Sequence, residues 1–177
     1  MNDFATYEYV VSQRKEGKWR FRRIALIVFY VLFVIVWLAF GFLSHLFPLL
    51  ALVPLTTWIL VFFTWRYVNV EYEYSMTSGS VVFSNIYGNR SRKTVVEFKI
   101  KDCTLVAPLS EAKERIAAFA PEKTINALSS SHTPDAYVAL VNSDGKHIAV
   151  YFEATSKALK IFRFYNAPCT VVQDVRY

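Results

Sequence analysis

Residues 24–65 contain no Asp, Glu, Lys or Arg, and that apolar run constrains the fold more than any other feature of the chain. A helix rises about 1.5 Å per residue, so about 20 apolar residues cross the hydrocarbon of a bilayer. The run is about twice that length and divides into two crossings, 24–43 and 46–65. In lipid every backbone amide must be bonded within its own segment, which makes both segments helical. Pro48 suits an opening turn, whereas Pro54 removes a mid-helix bond and predicts a kink, with Thr56 and Thr57 placed to bond back to the freed backbone. Only Ser44 and His45 join the segments, so the pair is an antiparallel hairpin. The first run is too long for a signal peptide and lacks a small-residue cleavage site.

Cations set the expected orientation, because Lys and Arg accumulate on the cytoplasmic flank. Arg14, Lys15, Lys18, Arg20, Arg22 and Arg23 precede the first segment and Arg66 ends the second, while the tip has none. Both termini are therefore expected in the cytoplasm of a multi-pass plasma-membrane protein. Trp19, Phe21, Trp65 and Tyr67 flank the cations and fit an aromatic belt at headgroup level. The net charge of +6 is concentrated in this juxtamembrane cluster, which determines topology and attracts anionic lipid. The remaining acids and bases nearly balance, which excludes a face built for nucleic acid. Cys103 and Cys169 have neither CxxC spacing nor paired His ligands and read as free thiols.

Residues 67–177 read as one cytosolic domain, with 1–23 as a basic cytosolic segment before the anchor at 24–66. Val70, Tyr72, Tyr74 and Met76 alternate with Glu71, Glu73 and Ser75, the pattern of a strand with one buried face, and Glu71 and Glu73 fall on its wet side. Strands at 81–87, 92–98 and 100–107 continue a four-stranded meander. A short helix over 111–119, with Ser110 as its cap, precedes a weaker strand at 123–128. Asp144-Gly145 joins strands 137–142 and 146–152 in a hairpin. Thr155 or Ser156 caps a closing helix to about Tyr165, with Leu159, Phe162 and Tyr165 on one face.

About seven strands followed by one helix resemble the bacterial pleckstrin-homology-like (PH-like) domains. The motifs that carry the likeness are the lead-in Tyr72-Glu73-Tyr74-Ser75-Met76-Thr77, the Arg92-Lys93 strand, and Phe152-Glu153 leading into the last helix. Through Asn69-Val70-Glu71-Tyr72-Glu73-Tyr74 and Val106-Ala107-Pro108 the chain also resembles a family of uncharacterised bacterial membrane proteins with a two-helix anchor. The fold class expected is thus an α+β membrane protein: a transmembrane helical hairpin followed by a mostly antiparallel β PH-like domain with a C-terminal helix. The resemblance implies no activity.

Candidate sites are few. Arg90, Arg92 and Lys93 in the turn at 89–93 are candidates for contact with an anionic lipid headgroup. Ser129, Ser130, Ser131, His132 and Asp135 include triad residue types but no nucleophile elbow. His45 is a single ligand where zinc takes three or four, and His147 sits in a strand as a structural histidine. No glycine-rich phosphate loop and no intramembrane acid occurs. No catalytic residue, cofactor or metal site is therefore expected. The reading is a non-enzymatic membrane protein whose domain serves as an interaction or scaffolding module for a protein partner, among membrane lipids. Headgroup binding through 89–93 and an enzyme acting on membrane substrates are the alternatives.

Overall fold

The computed structural model describes residues 6–14, 16–130, 132–143, 145–173 and 175. By its contacts the chain divides into a helical unit, Arg14–Val70 with Tyr87–Ser91, and a β unit made from the rest.

In the helical unit α1 spans Gly17–Leu43. It starts before the apolar run, so Lys18, Arg20, Arg22 and Arg23 occupy its first turns instead of a separate segment; Lys15 lies outside the described residues. The Arg23 guanidinium donates from Nε to the Val68 carbonyl at 3.0 Å and from Nη2 to Asn69 Oδ1 at 3.5 Å. One member of the basic cluster therefore ties the start of the hairpin to its end. Tyr30 and Thr64 share a hydroxyl bond of 2.6 Å further along.

His45 turns the hairpin at φ 54°. Its N–H donates to the Phe42 carbonyl and that of Leu46 to Gly41, the two bonds of a Schellman ending in which His45 holds the left-handed position usually given to Gly. Gly41 is buried, and a Cβ there would lie 2.3 Å from Leu50 Cδ2. The missing side chain lets the short α2, Phe47–Leu50, fold back on α1. The predicted kink falls at Ala51 and Leu52, ahead of Pro54, because α3 (Val53–Thr64) begins afresh with Pro54 in its first turn, where no amide is needed. Thr56 Oγ1 donates to the Leu52 and Val53 carbonyls, as a back-bonding hydroxyl should, whereas Thr57 Oγ1 is buried and finds no partner among the described residues. Gly17–Leu43 and Phe47–Tyr67 are each long and apolar enough to cross a membrane.

The β unit holds two four-stranded sheets. The first runs in the order β1 (Thr6–Ser12), β2 (Val70–Thr77), β3 (Ser80–Tyr87), β4 (Ser91–Lys99). The strand β1 is new relative to the sequence reading, which left 6–12 in the basic segment. It pairs antiparallel with β2, from Thr6 opposite Thr77 to Ser12 opposite Glu71. The alternation Tyr7, Tyr9, Val11 was visible, but its partner lies on the far side of the hairpin.

The second sheet runs β5 (Cys103–Pro108), β7 (Ala136–Ser143), β8 (Lys146–Glu153), β6 (Lys123–Ala127). The expected four-strand meander is corrected here: a tight turn at Ile100–Asp102, with Ile100 fully buried, diverts the chain so that β5 joins the second sheet. The helix α4 (Lys113–Phe119) is capped by Ala112 and not by Ser110, since Ala112 is drawn into the core beside Leu105, Val138 and Leu140. It carries the chain to the opposite edge, where β6 pairs parallel with β8. The helix α5 (Ser156–Tyr165) closes the unit, and its Thr155 cap accepts from the Ala158 N–H at 3.2 Å.

An aromatic cluster joins the layers. The Phe152 ring of the second sheet lies 5.8 Å from both Tyr74 and Phe83 of the first, and 5.7 Å from Phe162 of α5. All four side chains are essentially inaccessible, and each such burial is worth about 1.5–3 kcal/mol. Tyr74 also donates its hydroxyl to the Glu153 carbonyl at 2.6 Å.

The strand β1 covers Tyr74 with Tyr9, ring centres 5.5 Å apart, and links to the α5 cap through a 2.7 Å bond between the Tyr7 and Thr155 hydroxyls. Deleting residues 1–13 should therefore destabilise the domain by at least about 2 kcal/mol, read as a lower thermal midpoint of the detergent-solubilised chain. A synthetic peptide of residues 4–14 should restore the midpoint; an unchanged midpoint after deletion would show that β1 contributes nothing.

Candidate functional site

A cleft of about 280 Å³ opens at the end of α3, walled by Trp58, Phe62 and Trp65 and edged by Arg66, Asn69, Gly88 and Arg90. Trp58 and Phe62 stand four apart on one face of α3, and Arg66 follows in the 3-10 turn Trp65–Tyr67. The opposite wall is the turn between β3 and β4. Gly88 and Asn89 both have positive φ, and the Arg90 N–H donates to the Tyr87 carbonyl at 3.2 Å, a type I′ hairpin turn. The Gly88 N–H donates to the Asn69 carbonyl at 2.8 Å, and a Cβ on Gly88 would lie 2.9 Å from Arg66 Cβ. Glycine is thus required on two counts, and the close approach brings the two cationic side chains to one cleft.

The Arg90 guanidinium lies 4.1 Å from the Phe62 ring centre, a cation–π contact that leaves its N–H edge available. The Arg66 guanidinium lies 4.8 Å from the Tyr67 ring centre and donates from Nη2 to the Tyr67 hydroxyl at 2.8 Å. Its Nε is buried and meets no acceptor among the described residues. Among the described residues, no carboxylate lines the cleft.

The three cations proposed from adjacency in the sequence are engaged differently. Arg90 belongs to this cleft, Arg92 pairs with Glu73 at 2.8 Å, and Lys93 is exposed. Glu73 is also a correction, for it is 3 % exposed and not on a wet face. Its second carboxylate oxygen is buried without a partner among the described residues. Arg66 was read only as a topology signal; its place in the turn that follows Trp58 and Phe62 was the signal that marked it.

In the basic cluster Arg14, Lys18, Arg20 and Arg22 are exposed, with Arg22 4.9 Å from the Trp19 ring centre, and Arg23 is bonded as described. The polar loop serves its own backbone: Glu153 accepts from the Ser129 N–H at 2.8 Å and Ser130 Oγ from the His132 N–H at 3.3 Å. Asp135 is buried, and Ser131 lies outside the described residues. His147 stacks on Phe119 at 4.4 Å, its Nδ1 3.0 Å from the Phe119 carbonyl, which is a structural placement. No group of three or more metal-ligating side chains occurs among the described residues.

Cys103 is buried and Cys169 half-buried, both free. Burial first, then the Asp102 carboxylate and Cys169, pushes the Cys103 thiol up to about 12. Burial likewise raises the Tyr74 hydroxyl, and also the Tyr137 hydroxyl.

Two predictions follow from these placements. Folding holds the Cys103 thiol protonated, so its contribution to stability is complete below the unfolded value of 9.0 and is lost as pH rises from there to about 12. Denaturant titrations should show stability falling over that window, and a flat profile above pH 9.0 would contradict the burial. Arg92→Ala strands the Glu73 carboxylate and should cost about 1–3 kcal/mol, with Glu73→Gln in the same chain recovering part of the loss. Equal stability of Arg92→Ala and the unaltered chain would show that the pair is not energetically coupled.

No curated protein and no solved structure gives a significant match to the chain. A family model matches the chain over residues 3–171. The chain belongs to the family that this model describes, the bacterial PH-like domain DUF6106.

Proposed function

We propose that this protein is a non-enzymatic interaction module anchored in the plasma membrane, with both termini in the cytoplasm and its PH-like domain offering a surface to a protein partner at the inner leaflet. The observation that carries this reading is the ladder between β1 and β2, which flank the helical hairpin in sequence yet pair residue by residue. Such a ladder forms within one aqueous compartment, so the intervening chain must cross an even number of times. Two apolar helices supply that number, and the cations at both flanks favour the cytoplasmic side.

The partner surface is best sought at a sheet edge, where an extended segment adds as a strand. The β5 edge already accepts one. The Val171 N–H donates to the Val106 carbonyl at 2.8 Å, Thr170 bridges to Val106 in parallel, and the Gln173 N–H donates to the Tyr137 hydroxyl at 3.1 Å. This self-association supports an edge that takes extended peptide.

Orientation is tested on a chain with Cys103 and Cys169 replaced by Ser. A cysteine at position 44 should react with a membrane-impermeant maleimide on intact cells, and one at position 93 only after permeabilisation. The opposite pattern would overturn the topology. Crosslinking in cells should give the full chain a partner that a chain ending at residue 66 loses; equal recovery by both would overturn the module.

A further inference from the structure

We infer that the cleft between α3 and the β3–β4 turn is a binding site for the phosphate of an anionic phospholipid, held by Arg66 and Arg90. The inference rests on the membrane reading above, which puts the end of α3 at headgroup level, and goes beyond it by naming a ligand and its residues. Two guanidinium groups border one cleft that, among the described residues, no carboxylate lines, so none competes for their charge. Arg66 Nε is a buried donor without an acceptor among the described residues. A phosphate beside the guanidinium would compensate its charge through charge-assisted bonds to the other N–H groups. Arg90 is held by Phe62 through its ring face, which leaves its planar fork free for a second oxygen.

The walls argue for a lipid over a free anion. Trp58 is 63 % exposed and Phe62 39 %, and both stand on a helix apolar enough to span a membrane. Acyl chains would cover this stripe directly below the phosphate, as aromatic side chains at the interface commonly allow. The arrangement therefore pairs an anion-binding rim with an apolar slope, which suits an amphiphile and gives a soluble phosphate only half of its contacts.

The test uses the full-length chain in detergent, with short-chain phosphatidylglycerol, short-chain phosphatidylcholine and glycerol phosphate as probes, and retained ligand read by native mass spectrometry. The unaltered chain should retain phosphatidylglycerol in preference to both others. Arg66→Gln and Arg90→Gln should each weaken that retention about tenfold, and Lys93→Gln should leave it unchanged. Arg90→Gln lies in an exposed turn, so it reports on the site even if Arg66→Gln disturbs the helix end. Retention of phosphatidylglycerol by both variants as in the unaltered chain would overturn the site, as would equal retention of glycerol phosphate. Co-flotation of the unaltered chain with vesicles after an alkaline wash separates the two levels of the argument. Absence of co-flotation sinks the membrane reading and the site with it, whereas co-flotation with unaffected variants sinks the site alone.

Discussion

The ladder between β1 and β2 is the constraint on which the rest depends. The chain forms one strand, departs through two long apolar helices, and returns to pair with the strand it left, ending with Ser12 opposite Glu71. A sheet built this way cannot be completed by the residues after the hairpin alone. It converts the N-terminal stretch from a topology signal into part of the domain. The Arg23 bonds to Val68 and Asn69 fasten the same junction from within the helical unit.

Behind that ladder the β unit is held by aromatic contacts beside an aliphatic cluster around Leu105, Val138 and Leu140. Phe152 touches Tyr74, Phe83, Tyr137 and Phe162, and so draws on both sheets and the closing helix. Aromatic pairs add about 0.5–1.5 kcal/mol beyond their area, and a shared central ring makes the layers interdependent. Polar ties follow the same route, since Asn166 after α5 donates to the Ile100 and Cys103 carbonyls at the sheet-to-sheet corner.

The candidate cleft shows how charge is allocated. Arg92, three-fifths exposed, neutralises a buried carboxylate, which is a structural task. Arg66 and Arg90 meet aromatic rings, and Arg66 Nε has no acceptor among the described residues. Counting cations by adjacency grouped Arg90 with Arg92 and Lys93, whereas the type I′ turn sends neighbouring side chains to different work. Local spacing on α3 puts Trp58 and Phe62 on one face, because residues four apart on an α-helix share one, and Arg66 follows them in the next turn.

What the sequence determined by itself had a local cause. The uncharged run marks two helices long and apolar enough to cross a membrane. Alternation marks β7 and β8, between which Asp144 lies outside the described residues, Thr155 caps α5, and His147 is structural. The tertiary structure alone decided the distant choices: the partner of β1, the sheet that receives β5, the parallel seat of β6, the burial of Glu73, and the meeting of Arg66 with Arg90. Each depends on which of several compatible edges or faces comes to rest against another. Strand alternation has a period of two and fixes which residues share a face, but a hydrogen-bonding edge is the same for every partner. Contacts between residues distant in sequence, such as those of Phe152 with Tyr74 and Phe83, select among the edges.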